Sequence, residues 1–166
     1  MADVVALVIR FFHILFGIVW IGAVAYGVGV VRRVMPKVEP PARKAVMRRL
    51  IPVVVQYVPG SAVMTILTGA LLYGWLGGFS PALLFGSGWG LVLLTALILT
   101  ITAFAIGMLF GVRVAKKMVL HMEEESCTHQ VEFGGMQTTF NRTQFIVLGF
   151  GFAIIALMVI ATTHAI

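Results

Sequence analysis

The sequence is short of charge. Asp, Glu, Lys and Arg make up 11% of its 166 residues, less than half the roughly 25% of soluble domains. Together with 60% hydrophobic residues, that shortage excludes an ordinary soluble domain. It points to an integral membrane protein with one transmembrane domain over 1–166. Cysteine is nearly absent: Cys127 stands alone, so no internal disulfide can form. Acids are scarcer than bases, six against twelve. The net charge of +6 still does not indicate nucleic acid, because the basic residues flank apolar runs and there report topology. No acid falls inside those runs; Asp3 stands just before the first. This argues against a carboxylate-lined transporter or channel. A P-loop, a dinucleotide fingerprint, a Ser-His-Asp arrangement and an internal repeat are all missing.

Long apolar runs are what the sequence has. Four of them, about 4–31, 51–76, 88–112 and 144–163, reach the roughly 20 residues a spanning helix needs. They predict an all-α bundle of four transmembrane helices in a cell membrane. Residues 32–49 hold seven Lys or Arg and one acid, Glu39, and residues 113–143 hold four of each sign. The 77–87 loop carries no charge. The positive-inside rule therefore places loops 32–49 and 113–143 in the cytoplasm and both termini on the outer side. Arg10, the one basic residue elsewhere, can snorkel to the outer headgroups. The first run lacks a basic leader and a clear cleavage site, and reads as a retained helix.

Inside the runs, polar and small residues stand out. Pro36, Pro40 and Pro41 predict a broken loop between the first two helices, with at most a short amphipathic turn at 42–49 on the inner leaflet. Pro59-Gly60 predicts a kink in the second helix. Ser61, Thr65 and Thr68 share a face there, either bonding to backbone groups or forming a polar wall. Ala103, Gly107 and Gly111, and Gly149 with Ala153, are spaced for close helix contact. Trp75, Phe79, Phe85 and Trp89 predict an aromatic belt, with Ser80 capping a turn that starts at Pro81. His121, Glu123 to Glu125, Cys127, His129 and Glu132 are metal-capable, but H-x5-C-x-H fits no familiar zinc spacing.

The residue with the most chemistry is His13, an ionisable side chain about 13 Å below the outer end of the first helix. Neutral imidazole ligates heme iron, copper and zinc. A second ligand could come from His164, from Met64, or from His13 of a second copy. Alternatively His13 is hydrogen-bonded within the bundle and carries no cofactor.

His13, Trp20 and Gly22 form H-x6-W-x-G in a first membrane helix that runs on to Val31-Arg32-Arg33 and Pro36. Gly88-Trp89 opens the third helix, and Phe140-Asn141-Arg142 precedes the fourth. In these features the chain resembles the copper-resistance D-like superfamily and its relative, the four-helix membrane protoporphyrinogen oxidase of the HemJ type. The resemblance implies that His13 holds heme or a metal; Trp20, within the same motif, and His164, on the same side of the membrane, are the further candidates for contact with a cofactor. In the oxidase a heme-associated lysine follows the Gly-Trp; here Gly90 to Leu93 hold no basic residue. The expectation is a b-type heme or copper protein of redox or metal-handling function, with the lipid bilayer and a homodimer or larger membrane complex as partners. The alternative is a non-catalytic accessory subunit packing through its small-residue faces.

Overall fold

The computed structural model of the chain describes residues 3–123 and 130–163. Every regular element among them is helical. Four helices are long and apolar enough to cross a membrane. They are α1 (Val4–Lys37) and α2 (Pro40–Gly77), then, after the six-residue α3 (Pro81–Gly86), α4 (Gly88–Met122) and α5 (Gln130–Thr163). The chain runs up and down, leaving Asp3, α3 and Thr163 at one end and most of the basic residues at the other.

The helices overrun the apolar stretches at the basic end, which corrects the expected loops. Only Val38 and Glu39 separate α1 from α2, so residues 32–49 are nearly all helical. Pro40 and Pro41 open α2 at its first two positions, where a missing N–H costs no hydrogen bond. Pro52 and Pro59 lie inside α2, which continues through both. The region expected as a 113–143 loop is also helical wherever it is described. At ~1.5 Å per residue α1 is ~51 Å long, against a bilayer core of ~30 Å. Roughly 20 Å of helix therefore stands beyond the hydrocarbon.

α1 lies along α2, and α4 along α5; α5 also touches α1, and α2 meets the basic-end half of α4. Two buried clusters hold these pairs together. One joins all four spanning helices through Trp20, Val24, Ala62, Ala103 and Val147. The other, at the basic end, joins Ile51, Ala115, Met118 and Met122, with Met47, Met136 and Phe140 around them. On α4 the small face packs as its spacing predicts: a Cβ on Gly111 would meet Thr143 of α5 at 3.5 Å, and one on Gly107 would meet Val147 at 3.9 Å. On α5 the close approach is at Gly151, against Ile21 of α1, while Gly149 has open space beside it. Gly149 is therefore not the contact point that its spacing suggested.

The termini end is capped by short-range bonds. Ser80 caps α3, its Oγ accepting from Leu83 N at 3.3 Å, and Ser87 caps α4 by accepting from Gly90 N at 2.9 Å. Tyr73 donates to the Ser80 carbonyl at 2.6 Å and stacks on Trp89. Gly78 ends α2 in the left-handed conformation at φ 58°, which glycine adopts without Cβ crowding. Asp3 caps α1 through bonds from Val5 N and Ala6 N, and its carboxylate accepts from the Trp75 indole. That indole bond is the largest influence on the Asp3 carboxyl; desolvation opposes it, the two backbone bonds reinforce it, and together they hold the carboxyl below its ordinary range.

Candidate functional site

His13 sits on the face of α1 that the sequence period marks. Ala6, Trp20 and Val24 are the buried residues of α1, and Ala6, His13 and Trp20 are spaced by seven, two helical turns. That face meets the small-residue face of α2, where Ser61, Ala62, Thr65 and Thr68 are buried. Each hydroxyl on α2 turns back to its own helix. Ser61 donates to Val58 O at 2.8 Å, Thr65 to Ser61 O at 2.8 Å and Thr68 to Met64 O at 2.6 Å. The hydroxyls are thus spent on α2 carbonyls, and the surface they leave is narrow and apolar.

Into this seam α1 inserts its imidazole. His13 Nδ1 lies 2.9 Å from the backbone carbonyl of Thr65 and 3.4 Å from Thr68 Oγ1. A carbonyl oxygen only accepts, so Nδ1 carries the proton and donates it. Gly69 makes room for the ring: a Cβ there would fall 2.9 Å from His13 Cε1, closer than real Cβ contacts. With Nδ1–H engaged, the neutral ring presents Nε2 as a bare lone pair. Nε2 has no hydrogen-bond partner among the described residues and is not sealed off from its surroundings.

On the same pair of helices, α1 and α2 flank an open apolar groove of about 360 Å³, lined by Val8, Ile9, Phe12, Phe16, Met64, Thr68 and Leu71; His13 is not among its lining residues. Thr68 belongs both to this groove and to the His13 contact. Met64, a candidate second ligand from sequence, lines the groove as well.

The other residues expected at the site are placed differently. Trp20 lies two turns from His13, in the cluster where all four helices meet, and is only 4% exposed. His164 lies outside the described residues, as do Glu124, Glu125, Cys127 and His129. Among the described residues no group of three or more His, Cys, Asp or Glu converges. Sequence reasoning offered a carbonyl or a threonine of the second or third helix as the partner of His13, and the structure places both on the second; what it missed is the clearance supplied by Gly69. A glycine one turn beyond Thr65 was the available signal.

Comparison with known proteins adds no relative. No family model matches the chain, and neither does any curated protein or solved structure.

Proposed function

We propose that this chain is a small multi-pass membrane protein that holds a b-type heme through His13 Nε2, in redox or metal-handling service. The observation that carries the reading is the 2.9 Å bond from His13 Nδ1 to the Thr65 carbonyl. A second ring nitrogen tied to a carbonyl is the usual support of a ligating histidine: it fixes the tautomer, orients the ring and raises the basicity of the other nitrogen. The open groove that shares Thr68 with the His13 contact is apolar, a surface suited to a flat hydrophobic molecule. Copper in the same place would need further converging donors, so the groove favours heme. Bound there, heme would supply one-electron chemistry. The chain's own part is to present Nε2 and to offer Val8, Phe12, Phe16 and Leu71 as an apolar wall. The second axial ligand is left to His164 or to a second copy of the chain.

The resemblance to the copper-resistance D-like and HemJ-type proteins supports the same assignment of His13. The basic residues support a cytoplasmic basic end, outer termini and a cell-membrane location. The rival reading is a non-catalytic accessory subunit of a larger membrane complex. It is favoured by the tight seat of His13 on Gly69, which also suits a purely packing histidine.

A reduced-minus-oxidised visible spectrum of protein purified from its native membrane separates the two. Heme ligation predicts a Soret band with sharp reduced α and β bands, lost in His13→Ala while the protein stays folded. A packing role predicts a flat wild-type spectrum and a lower melting temperature in the variant.

A further inference from the structure

A second site lies away from His13, among all four spanning helices. A cavity of about 60 Å³ is bounded by Trp20 of α1, Val58 of α2, Phe104 and Gly107 of α4, and Thr143 and Gln144 of α5. Its walls are apolar except where α1 and α5 contribute. Trp20 is 4% exposed, yet its indole N–H has no hydrogen-bond partner among the described residues. The nitrogen is not fully enclosed either, and Trp20 is one of the residues that line the cavity. Gln144 contributes a half-buried amide that also makes no hydrogen bond to a described residue. Thr143 is already committed, donating to Thr139 O at 2.9 Å.

An indole donor in nonpolar surroundings is more stable with an acceptor than without one. Indole N–H groups usually find a partner when buried. The backbone around this cavity is also irregular. α4 winds as a π-helix over Gly107–Val112, and four cavity residues, Gly107, Met108, Gly111 and Val112, come from that turn. π-turns are uncommon and concentrate at functional sites. The cavity opens on one side beside Met108, which is 37% exposed, within the apolar span of α4.

We propose that this cavity binds a molecule carrying an acceptor oxygen, to which Trp20 Nε1–H donates and which the Gln144 amide helps to hold. The space admits either of two sources. A few waters fit, since each needs about 10–15 Å³. The carbonyl end of a bilayer-dissolved molecule also fits, its apolar remainder lying in the open side among the lipid tails. The site is separate from His13 and does not rest on the heme reading.

The test reads the hydrogen-bond state of the Trp20 indole. Trp75 and Trp89 are replaced by Phe, leaving one indole, and the nitrogen-sensitive ultraviolet resonance Raman band is recorded in native membranes. A bonded indole is expected. It should shift to the free position in Val58→Phe, which fills the cavity from α2. Gly107→Ala, which adds a single carbon facing Val147 without a clash, provides a milder version should Val58→Phe fail to fold. A signal that persists after full delipidation identifies water. One lost on delipidation and restored by a long-chain methyl ketone identifies a bilayer-borne carbonyl. A free indole in native membranes overturns the proposal. So does a bonded indole that is unmoved by every cavity-filling variant that folds.

Discussion

The two ends of this bundle are packed with different residues. Between the spanning segments most buried residues are small or hydroxylic: Ala6, Ser61, Ala62, Thr65, Thr68, Ala96, Thr100 and Ala103, with Trp20, Val24 and Val147 as the larger exceptions. At the basic end the buried residues are larger and fully apolar: Ile51, Met118 and Met122 around Ala115. Large apolar side chains within the spanning part, such as Phe11, Ile18, Leu67, Ile98 and Phe152, are exposed instead. Lipid tails are as apolar as leucine, so burying leucine between spanning helices removes no water contact. Close approach and hydrogen bonds must hold those helices together. Beyond the bilayer, water is present and the hydrophobic effect operates as in any soluble core.

Four substitutions break or sharpen this contrast. The largest effect is expected at the basic end. Met118→Ala should destabilise the protein by ~2–5 kcal/mol, the usual range for emptying a buried methionine site. Val147→Ala, in the lipid-side cluster, should cost clearly less because only packing is lost there. Reversible unfolding in mild detergent compares them, and equal losses would remove the contrast.

Next comes the α1–α2 seam. Gly69→Val places carbon against the His13 ring and should cost ~1–3 kcal/mol by overpacking. It should also abolish any Soret band, because the imidazole can no longer keep its bond to Thr65. A melting curve and a visible spectrum on one preparation check both effects. An unchanged spectrum would detach the proposed cofactor from this seam.

The smallest effect is expected at the termini end, where water is again in reach. The Asp3 carboxyl is held below its ordinary value chiefly by the Trp75 indole. A depressed folded-state pKa contributes stability above the unfolded value, and that stability is lost as the pH falls through the folded value. Trp75→Phe should therefore move the Asp3 titration upward, as followed by NMR of its carboxyl carbon. The acid-side loss of stability should then begin at a higher pH than in the wild type. No upward movement would mean that the two backbone amides of the cap alone set the charge.

Much of the fold was legible in the sequence, because the signals were strong and local. Four apolar runs predicted four spanning helices. His13 and Trp20, two turns apart, predicted one shared face, and Ser61, Thr65 and Thr68 predicted another. The helix ends were less legible. Pro40 and Pro41 suggest a break, yet at a helix start proline is favourable, and only the completed turn shows which case applies. Ala115, Met118 and Met122 do follow a helical period, but Lys116, Lys117 and the later glutamates masked it as a loop. The site was legible only as a residue. His13 stood out as an imidazole at membrane depth, while its partner, a backbone carbonyl, carries no sequence signature.

The sequence by itself determined the number of spanning segments, the apolar character that commits them to a bilayer, and the helix face that carries His13 and Trp20. Those properties depend on composition and on a period of 3.6 residues, which are local. Only the tertiary structure decided that the Thr65 carbonyl accepts from Nδ1–H and leaves Nε2 open, that Gly69 gives the ring its clearance, and that Trp20 lines a cavity with its N–H unpaired among the described residues. These depend on which helices lie side by side and at what height, and that is fixed by long-range packing between segments far apart in the chain.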